Sequence, residues 1–269
     1  ANALVCAITP ISYEHTKHLG RTLREIAAEK AGIIKGHRSI VITAPQEKEA
    51  MEVIRKRSKK VGAKLFEVGK DITYKKTRDG FDVKGIYKTY PNLKIGLIGN
   101  HQLINAASAI ATVEILRAYD IKVSVDSIRK GLYNAIWPGR CEAIARNPLI
   151  VLDGAQNAAS AKVLKEAVKE NFKYRKLILV LGVSGDKDID GISNQLDGLA
   201  NEIILTKANN PRAARPEALA KYFKNKKTHI TKNIREALAL AVREAKRGDL
   251  ILVTGSLFVA GEARMLCKI

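Results

Sequence analysis

"KLILVLGVSGDKDIDGISNQLDGLANEIILT", residues 176–206, decides the architecture. Its two ends, 176–182 and 202–206, are near-continuous runs of Leu, Ile and Val with no polar alternation. A strand that is apolar at almost every position is buried on both faces, as in a parallel sheet covered by helices. Residues 189–200 between them read as a helix, the crossover that parallel neighbours need.

The same rhythm runs outward in both directions. "LIVLDG" (149–154) and "DLILVTG" (249–255) read as further buried strands, and 158–171, 215–225, 232–246 and 257–266 as helices. In the first half, "ALVCAIT" (3–9) and "SIVIT" (39–43) read as buried strands, and 21–32 (ending at Gly32) and 47–62 as helices. From 64 to 98 the texture changes. "KLFEV", "DITYKK", "GFDVKGIYKTY" and "LKIGLIG" are short and alternating, with a turn signal at "RDG" (78–80), which predicts an antiparallel β insert. Helices over 102–119 and 124–135 follow. "IWPGR" (136–140) then breaks the chain with Pro138 and Gly139, and a division falls there. The expected fold class is α/β. Residues 137–269 form a self-contained doubly wound, Rossmann-like domain. Residues 1–136 form part of a parallel sheet with the antiparallel insert, and the other strands of that sheet are not in the sequence. That leaves "ALVCAIT" at an open edge, so the first half is expected to be the looser one.

Composition limits the function classes. Forty-six per cent hydrophobic residues and 28% charged residues suit a globular protein with a large aliphatic core. No apolar run approaches the ~18 residues of a membrane span, and the first residues lack a signal-peptide layout. Cys6, Cys141 and Cys267 lie far apart with no C-x-x-C pattern, which reads as reduced thiols and a cytoplasmic location. The net charge of +20 is spread along the chain. Its densest cluster, "IRKRSKK" (54–60), reads as a solvated helix face rather than a track for phosphates, and the overall field suits polyanionic substrates in either case.

In parallel α/β sheets ligands bind beyond the carboxyl ends of the strands. The tips to consider are "TPISYEH", "IGNHQ", "LDGAQN", "LGVSGDKD", "TKANNPRA" and "TGSLF". Asp153 ends a strand, and Asn157 is placed as an N-cap whose following amides could seat an anion; a plain capped turn is the alternative. Asn105, one turn into a helix rich in small residues, could pair with a flat heterocycle or be a buried side chain satisfied by backbone. Lys30 sits beside Ala31 and Gly32, either as a surface lysine or as one held deprotonated in a crowded site. His15 and His18, three apart in a loop, need not face one another. One histidine can complete a Mg²⁺ shell, although that ion prefers oxygen.

Taken in order, "SYEHTKHLGRTLREIAAEKAGIIK" (12–35), "GNHQLINAASA" (99–109), "WPGRCE" (137–142), "LDGAQN" (152–157), "SGDKD" (184–188), "NNPRA" (209–213) and "TGSLFVAGEAR" (254–264) resemble folylpolyglutamate synthase and dihydrofolate synthase. These are ATP-dependent ligases of the Mur ligase superfamily, with roles in folate biosynthesis and one-carbon metabolism. The resemblance implies that 1–136 is the C-terminal portion of the central ATP-binding domain and 137–269 the glutamate ligase domain. It implies ATP and Mg²⁺ as cofactors, and L-glutamate with dihydropteroate or folates as substrates. The partners are thus small molecules, without nucleic acid or membrane, and the protein a monomer. By the same resemblance His15 ligates Mg²⁺, Lys30 is carbamylated, Asn105 faces the adenine, Arg140 reaches the ATP phosphates, Asp153 and Gln156 contact the nucleotide, and Ser256 lies on the glutamate side. His18 matches no role.

Two departures stand out. Gln156 replaces the usual His of the family's Asp-Gly-Ala-His-Asn-Pro, so no positive charge is available there, and Ala158 replaces its Pro. Asn2 resembles the Asn of the family's Asp-Ala-Thr-Asn, which puts its phosphate loop and glutamate metal ligand before Ala1. No G-x-x-x-x-G-K-[ST] occurs in the 269 residues. The expectation is the C-terminal part of a longer ligase, inactive alone. The competing readings are a non-catalytic remnant that binds nucleotide or a partner, and, on charge alone, a nucleic-acid-binding protein.

Overall fold

The computed structural model describes residues 3–14 and 16–267. Two compact units are present, one of Ala1–Gly96 with Asn100–Ile136 and one of Leu97–Gly99 with Trp137–Ile269.

In the first unit the elements are β1 (Val5–Ile8), α1 (Thr16–Leu19), α2 (Leu23–Ala31), β2 (Ile40–Thr43), α3 (Lys48–Val61), β3 (Lys64–Glu67), β4 (Thr73–Lys76), β5 (Phe81–Lys84), β6 (Thr89–Leu93), α4 (His101–Leu116) and α5 (Val125–Tyr133). Strands β1, β2 and β3 pair side by side, all parallel. Successive strand residues point to opposite faces. Val41 therefore packs with Cys6, Ile26 and Ile54 beneath α2 and α3, while Ile42 packs with Leu103, Ala107 and Ile110 of α4. Strands β4, β5 and β6 form the antiparallel insert and close over α4 through Phe81, Val83 and Leu93. Thr22 opens α2 with a capping box to Glu25, and Gly62 closes α3 at φ 70°, where a side chain is strained.

Two expectations for this unit are corrected. "KLFEV" belongs to the parallel sheet as β3, not to the insert. As an edge strand it is only half-buried, so it alternates as an antiparallel strand would. "LKIGLIG" is no strand beyond Leu93. Gly96 instead donates to Leu132 O (3.0 Å), and a methyl group there would lie 2.6 Å from the carbonyls of Tyr133 and Ala135.

The second unit contains β7 (Glu142–Arg146), β8 (Leu149–Leu152), α6 (Ala158–Asn171), β9 (Leu177–Leu181), α7 (Ile189–Asp197), β10 (Glu202–Leu205), α8 (Pro216–Ala220), β11 (Lys227–Ile230), α9 (Ile234–Glu244), β12 (Leu250–Thr254) and α10 (Leu257–Leu266). The strand order is β11-β10-β9-β12-β8-β7. All neighbours are parallel except β7, which is antiparallel to β8. Helices α6, α7 and α8 cover one face with Leu177, Leu179 and Leu252; α9 and α10 cover the other with Ile178, Val180 and Val253. The sheet is thus doubly wound. Two strands, β7 and β11, were not expected. Both lie at edges, and "EAIAR" and "KTHI" are too polar to read as buried strands. Helix α8 is also shorter than its predicted 215–225.

All three cysteines are free; Cys6 and Cys141 are buried. Among the described residues no helix is long and apolar enough to cross a membrane.

The topology sets an order of local stability. Strands β9 and β12 are central and wholly buried, whereas β1 pairs on one side only among the described residues. Amides of β9 and β12 are expected to exchange hydrogen more slowly than those of β1 and β11. Equal protection in β1 and β12 would show that the short sheet holds as firmly as the long one.

Candidate functional site

In the second unit the carboxyl ends of β8, β9, β10 and β12 deliver their following loops to one edge of the sheet. Beyond β8, Asp153 accepts the amide of Cys141 on one oxygen (2.9 Å) and that of Ala155 on the other (2.7 Å). The Gly154 amide donates to Gly139 O (2.8 Å). These bonds fasten the turn that carries Arg140, whose neighbours Gly139 (φ 69°) and Cys141 (φ 48°) both have left-handed backbone. Cysteine is costly in that conformation, and the carboxylate of Asp153 holds it there. The Arg140 side chain lies across Gly154: a methyl group on Gly154 would sit 2.8 Å from Arg140 Nη1 and would collide with Leu257 Cδ2. A side chain at position 154 would have to displace the guanidinium and Leu257.

Electrostatics agree with this packing. Burial raises the pKa of Asp153, against the lowering effect of the two amides and of Arg140. Burial, together with Asp153, pushes the Cys141 thiol up to about 12. Arg140 makes no side-chain hydrogen bond or ion pair among the described residues, so its guanidinium is available to an anion.

Asn157 is the N-cap of α6, and of the amides that follow it, that of Ser160 is taken by the cap itself. Asn157 Oδ1 accepts the Ser160 amide (2.8 Å), and Ser160 Oγ accepts the amides of Gln156 and Asn157 (3.1 Å each). Ser160 was not foreseen; its place three residues after the cap was the available signal. Ser256 is buried and caps α10, accepting the Val259 amide (3.1 Å). Thr206 and Thr254, the residues at the ends of β10 and β12, bury hydroxyls with no partner among the described residues. These too were not singled out.

In the first unit α2 brings Lys30 to a cavity of about 330 Å³ lined also by residues 7–12, Glu14, Ile26 and Ile33. Gln46 fixes its rim by accepting the Ile11 amide (2.8 Å) and donating to Thr9 O (2.9 Å). Glu14 and Lys30 are thus brought together. Lys30 is exposed, not crowded. His15 and Asn2 lie outside the described residues, and His18 is exposed on α1. Among the described residues no group of three His, Cys, Asp or Glu is placed to hold a metal ion. Asn105 is exposed on the second turn of α4, with Nδ2 donating to buried Gln102 Oε1 (2.9 Å). The alternative of a buried, backbone-satisfied Asn does not hold. A second cavity of about 320 Å³, between Tyr87, Arg117 and Val123, gathers none of these residues.

Residues 1–113 match the Mur ligase middle domain and residues 139–257 the Mur ligase glutamate ligase domain, so the chain belongs to the Mur ligase family. Within that family it is 33% identical to the dihydrofolate synthase/folylpolyglutamate synthase of Bacillus subtilis, over 98% of this chain and 63% of that protein. Its fold superposes on the Mycobacterium tuberculosis folylpolyglutamate synthase complexed with ADP with a TM-score of 0.89 and 30% identity, over 100% of this chain and 64% of that one. A bifunctional folylpolyglutamate synthase/dihydrofolate synthase with Mn, AMPPNP and L-glutamate bound gives 0.85 and 26%, over 98% of this chain and 62% of that one. The chain spans 60% and 63% of the length of two curated relatives it matches.

The Asp153 clamp can be tested without a ligand. Asp153→Asn leaves one of two amides facing an NH₂ group, at an expected cost of about 1–3 kcal/mol in denaturant unfolding. The raised pKa favours the protonated form on folding. This residue's contribution is therefore full below the ordinary value of 3.8 and lost as the pH rises through the raised value. The uncharged Asn variant is expected to lack that decline in a pH series of unfolding curves.

Proposed function

We propose that the chain supplies the nucleotide- and amino-acid-handling parts of a ligase that joins L-glutamate to dihydropteroate or to folates. The observation that carries this is the pair of Mur ligase domains in sequence, matched over nearly the whole chain to synthases of that name. Residues 1–136 are then the C-terminal portion of the ATP-binding domain, and 137–269 the glutamate ligase domain.

The reaction has two displacements. A substrate carboxylate oxygen attacks the γ-phosphorus of ATP and ADP leaves. The glutamate nitrogen then attacks the acyl carbon, phosphate leaves and the ammonium gives up its protons. Negative charge gathers on the phosphoryl oxygens in the first step, and fixed cations stabilise it. Arg140, held at its backbone and with no hydrogen bond to its guanidinium among the described residues, is suited to that work. Asn105 Oδ1 would accept from the exocyclic amine of adenine. The second lone pairs of Asp153 would accept ribose hydroxyls, and Gln156 offers neutral hydrogen bonds beside them. Magnesium, when bound, supplies charge neutralisation for the phosphates, and Glu14, His15 and Lys30 are the groups that would hold it. A carbamate on Lys30, formed from the neutral amine and CO₂ with loss of a proton, turns a cation into the carboxylate that a hard ion needs. The shared cavity of Glu14 and Lys30 supports this assignment. Ser256 at the start of α10 would face the amino acid.

ADP titration of the 269-residue chain with Mg²⁺ tests the reading. Arg140→Ala is expected to weaken binding about 10- to 100-fold, in line with loss of a charge-assisted contact of ~1.5–3 kcal/mol. His15→Ala is expected to reduce the magnesium dependence and His18→Ala to leave it intact. Glutamate incorporation by the chain alone is expected at background, because a phosphate loop is missing from these residues. Wild-type affinity in the Arg140 variant would sink the assignment.

A further inference from the structure

One face of α10 runs along the turn that presents Arg140. Leu257, Ala260 and Arg264 are spaced at i, i+3 and i+7 and so lie in one stripe. Leu257 abuts Gly154, and the Ala260 methyl lies 3.6 Å from where a methyl on Gly139 would be. At the far end Arg264 Nε donates to both oxygens of Glu142, at 2.9 and 3.1 Å. Glu142 Oε2 also accepts the Gly139 amide at 2.8 Å. The two side chains are 28% and 19% exposed, sheltered enough for the pair to be only partly screened.

The turn is therefore gripped from two directions. Asp153 takes the amide after Arg140, and Glu142 takes the amide before it. Arg264, 122 residues further along, fixes Glu142. The single Nε–H is shared between both carboxylate oxygens, a charge-assisted contact that centres the guanidinium on Glu142. Without it Glu142 would turn toward solvent, and the left-handed Gly139 would lose the acceptor that holds its amide.

We propose that Glu142 and Arg264 are positioning residues for Arg140. Through the α10 stripe they tie the aim of that guanidinium to the helix that Ser256 caps. The proposal rests on the reading of Arg140 as a phosphate-binding group. It assigns no ligand contact to Glu142 or Arg264 themselves. Both act through the Gly139 amide, and their effect disappears when Arg140 is absent.

The test is a double-mutant cycle in the 269-residue chain, read by ADP titration and by hydrogen exchange at Gly139 and Cys141. Arg264→Ala is expected to weaken ADP binding about tenfold, since displacing a positioned group by about an ångström costs that much or more. Arg264→Lys, which restores one contact, is expected to recover part of the loss. In the Arg140→Ala background Arg264→Ala is expected to add nothing. Losses that multiply independently, or wild-type ADP affinity in Arg264→Ala beside a weakened Arg140→Ala, would overturn the proposal. If Arg264→Ala unfolds the protein, Glu142→Gln keeps the volume and the acceptor but removes the charge, and the same cycle is run with it. If Arg140→Ala itself leaves ADP binding unchanged, the nucleotide reading has failed, and exchange decides the brace. Faster exchange at Gly139 and Cys141 in Arg264→Ala supports it, and unchanged protection refutes it.

Discussion

A parallel strand covered on both faces has nowhere to place a polar side chain except at its ends. Strands β9 and β12 show the constraint at its strictest, since no residue in either reaches solvent. Both faces of the second unit's sheet are covered by helices, and polar residues gather where the strands end, with Thr254 closing β12 and Asp153, Thr206 and Ser256 lying just beyond their strands. A buried polar group there must be hydrogen-bonded or wait for a partner. Asp153 takes the first course by gathering two amides. The hydroxyls of Thr206 and Thr254 have no hydrogen-bond partner among the described residues. The loops are thus ordered by the same burial that forces them outward.

The fold class was legible because burial writes itself into local composition. "KLILVLG" and "DLILVTG" could be little else than buried strands. Elements that face solvent leave no such record: β3, β7 and β11 lie at edges and were misplaced or missed. The site was legible in part, for a similar reason. Residues such as Arg140 and Asp153 stand out from the chain by type and by position at a strand end. The groups that hold them do not. Glu142 and Arg264 are 122 positions apart and meet only because β12 inserts next to β8 and carries α10 with it. Gln46 reaches across 35 residues to Ile11 in the same way. Ser160 was missed for the opposite reason: it is local, and its hydroxyl accepts the amides of Gln156 and Asn157, which the sequence reading did not consider.

A net charge of +20 looks at first like a nucleic-acid signature. Some of the 47 basic side chains are engaged locally by acidic partners, which leaves the net charge unchanged. Arg55 pairs with Glu67, Arg24 with Glu52, and Lys227 bridges Glu202 and Glu244. Arg57 donates to the carbonyl of Ile34 at the end of the α2 segment. Such contacts are individually worth ~0–1 kcal/mol at exposed positions. That charge makes a diffuse positive field, which raises the encounter rate with any multiply charged anion. In the proposed reading both the nucleotide and a glutamylated substrate are of that kind.

The buried cysteines have a practical consequence. Desolvation raises the pKa of Cys6, Cys141 and Cys267 alike, and the thiolate is the form that reacts with oxidants and alkylating reagents. Near neutral pH the buried Cys6 and Cys141 are therefore held in the less reactive thiol form, while Cys267 is partly exposed. Replacing Cys267 alone leaves a background of two buried thiols for site-directed labelling. A single cysteine introduced at an exposed position, on the outer face of α3 for example, would carry a fluorophore or spin label almost alone. A second cysteine introduced on an exposed helix of the other unit would then let a distance be followed in solution as ligands are added.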